Sequence, residues 1–92
     1  MNNLNKQLVF ACKVGHTGVA KLLLEKGADV NASNDYPLEI SCTKGHTDIV
    51  KILLNAGANP NNWDKTTRYK ILTISHSEIR DLLYNNCSRV SL

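Results

Sequence analysis

From Asn5 onward, apolar positions recur at helical spacing: Leu8, Ala11 and Cys12 share one face, and Gly15 follows them. The spacing predicts a helix of about three turns over 5–14, ended by Gly15 in a left-handed conformation. A second helix is predicted after His16, with Thr17 as its cap, Val19, Ala20, Leu22 and Leu23 as one apolar stripe, and Gly27 as its stop. Ala28 to Tyr36, ADVNASNDY, is dense in the Asn, Asp and Ser residues that favour turns, and reads as a loop. Pro37 suits the first turn of a third helix, where its missing N–H would have had no intrahelical partner. The pattern then restarts with Leu38, Ser41 and Cys42, a Gly45-His46 turn, Thr47 as cap, and Ile49, Val50, Ile52 and Leu53 as stripe. Antiparallel helices joined by so short a turn leave one apolar side that another unit must cover.

The restart is a repeat. Gln7 to Ala32 laid on Pro37 to Asn62 gives eleven identities in 26 positions: Leu8, Cys12, Gly15, His16, Thr17, Lys21, Leu23, Leu24, Gly27, Ala28 and Asn31. A third copy keeps only Thr73, His76, Ile79, Leu83 and Asn85 of the second, with Ser77 available as a helix cap. Its turn glycines are replaced by Ser75 and Cys87, as is usual for a terminal, capping unit. The chain is therefore read as a single domain, 1–92, built from units 4–33, 34–63 and a degenerate capping unit 64–92. Self-similarity at this period signals stacked units that cover one another's apolar faces, and about three are needed for stability.

Charge and composition add boundaries to that picture. The formal charge of +3 is spread along the chain, so it demands neither nucleic acid nor an anionic membrane. MNNLNKQ lacks the apolar core of a signal peptide, and no apolar run approaches a membrane span, so a soluble protein of the cell or host cytosol is expected. Three cysteines, an odd number, argue against a disulfide framework. Cys12 and Cys42 lie one period apart and read as buried small apolar residues on neighbouring units.

Taken together these residues closely resemble the ankyrin repeat, with its T-P-L-H-x-A helix start, G-H turn, V-V-K-L-L-L run and G-A-D-V-N close. Here the helix start is Tyr36-Pro37-Leu38-Glu39, the turns are Gly15-His16 and Gly45-His46, and the closing motifs are Gly27-Ala28-Asp29-Val30-Asn31 and Gly57-Ala58-Asn59-Pro60-Asn61. The resemblance implies an all-α solenoid of three stacked helix-turn-helix units. The family period is about 33 residues, whereas this chain repeats at thirty. The missing residues fall between Asn31 and Pro37, where the family carries its β-hairpin finger, so shortened inter-repeat loops are expected. Units of this length with an N-D-Y loop look like those of ankyrin proteins in giant DNA viruses and their amoebal neighbours.

Three patterns invite chemistry. Cys12-x-x-x-His16 and Cys42-x-x-x-His46 carry zinc-ligand types, but copies in a stack are translated alongside one another and do not converge, which argues against a metal site. His16, His46 and His76, with Asp48 or Glu78 nearby, share one structural station, whereas an active site gathers different residues at one place. No GxSxG, HExxH or phosphate-cradling loop occurs, and no enzyme and no cofactor are expected. Trp63, Lys65, Arg68, Tyr69 and Lys70 form a locally basic and aromatic stretch; with Asp64 inside it and no second patch, nucleic acid is the weaker reading.

What the resemblance implies is protein–protein recognition by a monomeric stack. Family partners are met by the loop tips and by the concave face of each first helix. Carried over position by position, the helix positions are Lys13, Val14, Thr43, Lys44, Thr73 and Ile74. The loop positions are Ser33, Asn34, Asp35, Tyr36, Trp63, Asp64 and Lys65. For Trp63 two roles are open: an exposed contact, or a ring folded back over the weak third unit. Asn31 stands in the V-N context that asparaginyl hydroxylases modify, which makes it a candidate modification site. The alternative to a binding module is a structural remnant of a longer array; a polar outer face from Arg80, Asp81, Tyr84, Asn85 and Asn86 argues for a true cap.

Overall fold

The computed structural model of the chain describes residues 3–91, with side chains to residue 85 except that of Asn34. Six α-helices follow in order: α1 (Asn3–Val14), α2 (Thr17–Glu25), α3 (Ala32–Lys44), α4 (Thr47–Asn55), α5 (Lys65–Ile74) and α6 (Ser77–Ser91), with a 3-10 turn at Pro60–Asn62. Among the described residues there is no strand. α1, α3 and α5 pack in sequence as one layer, α2, α4 and α6 as a second, and each hairpin covers the next. The resulting stack is elongated, 34 × 22 × 21 Å.

The core repeats with the period of the sequence. Leu8 and Leu38 fill one station, Leu23, Leu53 and Leu83 another, and Cys12 and Cys42 a third, all buried. Burying one such leucine contributes roughly 1.5–3 kcal/mol. These stations join the two helices of a hairpin to each other and to the neighbouring hairpin.

The Gly-His turns have a cause beyond backbone shape. Gly15 and Gly45 hold φ values of 88° and 79°, where a side chain is strained. They close α1 and α3 through His16 N–H to Ala11 O, 3.0 Å, and His46 N–H to Ser41 O, 3.0 Å, the longer-reaching bond of a glycine-ended helix. The histidine of the following unit then lies over each glycine: a Cβ on Gly15 would sit 2.8 Å from the His46 ring, and one on Gly45 3.0 Å from His76. Glycine and histidine are thus retained together because they meet between units. His46 Nε2 also lies 3.2 Å from the carbonyl of Lys13 in the preceding unit. The histidine therefore joins one unit to the next.

Three further expectations change. Thr17 and Thr47 are not caps: His16 and His46 occupy the cap positions, without side-chain capping bonds. The turn is so short that each threonine already stands inside its helix, its N–H bonded to the glycine carbonyl at 3.0 and 3.1 Å. The stripe of α2 is narrower than expected, with Ala20 and Leu23 buried but Val19 and Leu22 exposed. Helical structure also begins earlier than Pro37, at Ala32. Its first turn is irregular, since Ser33 and Asp35 have φ values of 55° and 61°. Asp is among the residues that tolerate that conformation, and through these two positive-φ positions a segment read as loop enters the helix.

Candidate interaction surface

The positions carried over from the first helices come out as three in-phase pairs at the C-terminal ends of α1, α3 and α5. Lys13 and Val14, Thr43 and Lys44, and Thr73 and Ile74 are all exposed. Thr43 and Thr73 donate their hydroxyls to carbonyls one turn back, Glu39 O at 2.9 Å and Tyr69 O at 2.7 Å. The row thus carries two ammonium groups, Lys13 and Lys44, and two apolar side chains, Val14 and Ile74. Of the loop positions, Ser33, Tyr36, Asp64 and Lys65 are exposed, and the side chain of Asn34 lies outside the described residues.

Asp35 and Trp63 do not belong to that surface. Asp35 is fully buried. Its Oδ1 accepts the Asn31 side-chain amide at 2.7 Å and the backbone N–H of Asn59 at 3.0 Å, and its Oδ2 accepts the Asn62 amide at 2.6 Å. A carboxyl group taken from water needs such donors, and here they come from the joints on both sides of the middle unit. Trp63 is 5% exposed, and its indole N–H donates to Asp35 O at 3.3 Å. Of the two roles open to the ring, the structure places it inside the stack, as a packing residue.

The sequence carries a signal for Asp35 that apolar periodicity does not register. One period earlier stands Asn5, and its Oδ1 accepts the backbone N–H of Asp29 at 2.8 Å, as Asp35 does for Asn59. Asp29 and Asn59 in turn accept the backbone N–H of Asn31 and Asn61, both at 2.9 Å. Aligning polar positions 5, 35 and 65 therefore finds the station, and Lys65 breaks it. α6 is still helical where a further joint would begin, so Lys65 has no joint to hold.

The remaining candidates separate in space. Burying Trp63 removes the ring from the basic-aromatic stretch, and Arg68 Nη1 donates to Asn61 Oδ1 at 3.1 Å, leaving Lys65, Tyr69 and Lys70 exposed. The amide of Asn31 is directed inward, to Asp35 and, at 3.3 Å, to Gly57 O. Cys12 and Cys42 are buried and free. Burial pushes the Cys42 thiol up to about 12, with Glu39 adding to the shift, and it raises Cys12 against a lowering contact from Ser41. Such thiols pack as small apolar groups. Among the described residues no three metal-ligating side chains come together, and no helix is long and apolar enough to cross a membrane.

Asp64 has a local task at the start of α5. Its side chain accepts the N–H of Thr67 at 2.7 Å and starts α5, and the Thr67 backbone and side chain together hold its carboxyl below the ordinary value. A family model described as ankyrin repeats, in three copies, matches residues 2–64. No curated protein matches the chain.

Proposed function

Since the chain belongs to the ankyrin-repeat family, we propose that it is a non-catalytic protein-interaction module that meets its partner along the ends of α1, α3 and α5. The observation that carries this reading is the row of six exposed, in-phase residues from Lys13 to Ile74. Two ammonium groups beside apolar Val14 and Ile74 suit a partner that presents carboxylates next to an apolar contact. Ser33, Tyr36, Asp64 and Lys65 extend the surface along the loops, whereas Asp35 and Trp63 support it from within.

The exposed Arg80, Asp81 and Tyr84 on α6 favour a closed stack over a remnant of a longer array at that end; Asn86 lies outside the described side chains. The free, buried thiols of Cys12 and Cys42 accord with a reducing cytosol. The test is a paired charge reversal, Lys13→Glu with Lys44→Glu, in the intact chain. Affinity capture from cells is expected to lose the partner while the melting temperature stays unchanged. Capture of the same partner by both proteins would overturn the reading.

A further inference from the structure

The three units offer the same stations with different neighbours, which identifies what each station is built to meet. Val19 is 47% exposed, yet its counterparts Ile49 and Ile79 are fully buried. The third unit has no described unit after it, so what buries Ile79 lies on the preceding side. Leu22 behaves the same way: it is 49% exposed, while Ile52 and Leu82 are half-buried. Residues on the opposite side show the reverse. Ala20 and Val50 are buried, and their counterpart in the last unit is an exposed Arg80. One end of the stack has exchanged its apolar station for a charged one, and the other has kept it.

We propose that the α2-side end face of the first unit, formed by Phe10, His16, Val19 and Leu22, is a docking site for one further helix-turn-helix unit of the same repeat type. Phe10, His16 and Val19, with Lys6, line one continuous depression. The face continues the interfaces already present between units, and those interfaces specify the occupant. His46 rests on Gly15 and reaches Lys13 O. His16 therefore needs beneath it a left-handed glycine and a carbonyl two residues before that glycine. The chain's own far end does not supply them: Ser75 takes that place with φ −78° and a Cβ, and Arg80 stands beside it in the unit. A second copy stacked head to tail is thus excluded by the same contact that selects a glycine-turned hairpin. This proposal is independent of the row of residues from Lys13 to Ile74.

The test joins a copy of residues 31–60 in frame directly before residue 1 of the full chain, so the copied Gly45 precedes His16 at the spacing by which Gly15 precedes His46. The extended chain is expected to unfold in one transition with a higher denaturant midpoint than the 92-residue chain. His16→Ala should lower the midpoint of the extended chain and leave that of the shorter one unchanged. Separate, earlier unfolding of the added unit, or an equal effect of His16→Ala in both chains, would overturn the proposal. So would sedimentation showing a dimer of the shorter chain that Val19→Lys abolishes, because the face would then belong to a second copy.

Discussion

The two joints of the stack are built on one plan and fastened differently. In the first, Asn5 holds the N–H of Asp29 from a half-buried position, and Ser33 is exposed. In the second, the buried Asp35 holds Asn59 and Asn62 while also taking Asn31 from the first joint, and Trp63, one period after Ser33, closes over it. The difference matches what the units on either side provide. The first two share a glycine turn with a histidine over it; the third ends α5 at Ser75 in extended conformation, with a single backbone bond to Ile71 O. A unit that lacks the turn contact on its far side is secured through its joint.

Emptying the second joint should therefore cost most. Trp63→Ala is expected to destabilise by about 3–5 kcal/mol, the range for removing a large buried aromatic. Ser33→Ala at the same station should stay within about 0.5 kcal/mol. Thermal or denaturant unfolding of both variants checks the pair; equal costs would mean that the joints are equivalent.

The polar station sharpens the comparison. Asp35→Ala removes the acceptor of three donors in a buried place and should cost about 2–4 kcal/mol, whereas Asn5→Ala, which removes one half-buried acceptor, should cost about 1 kcal/mol. Lys65→Ala should change little, within about 0.5 kcal/mol. Denaturation midpoints falling out of that order would sever the link between joint geometry and stability.

The smallest effect belongs to Asp64. Its folded carboxyl titrates below the unfolded one, so the capping contribution is present above the unfolded value, near 3.9, and is lost as pH falls through the lower folded value. Asp64→Asn is expected to flatten the acid limb of the stability curve in that window and nowhere else. A variant whose acid limb superimposed on that of the parent chain would remove the cap from the account.

Why the middle of the chain was hard to read follows from the forces involved. The helices, the Gly-His turns and the leucine stations are legible because burial imposes a period of 3.6 within a helix and of one unit along the chain. Asp35 keeps the unit period only as a polar station shared with Asn5, and Trp63 breaks it, standing buried one period after the exposed Ser33. A buried acid is recognised by its donors, and two of the three at the Asp35 carboxylate, Asn59 and Asn62, lie 24 and 27 residues away in the next joint. Thr17 and Thr47 mislead for a related reason, since hydroxyl residues near a helix start favour capping until the turn is too short to leave them outside. The exposure of Val19 and Leu22 needs the whole stack to be understood, because the residues themselves match stations that are covered in later units.

Trp63 is the sole tryptophan, so its fluorescence reports on the second joint alone. Guanidinium unfolding followed by that fluorescence and by far-UV circular dichroism tests most directly whether the joint binds the third unit into the stack. The account expects the two curves to coincide in one transition. Exposure of the indole at lower denaturant than the loss of helix would contradict it, because the third unit would then come away without the other two.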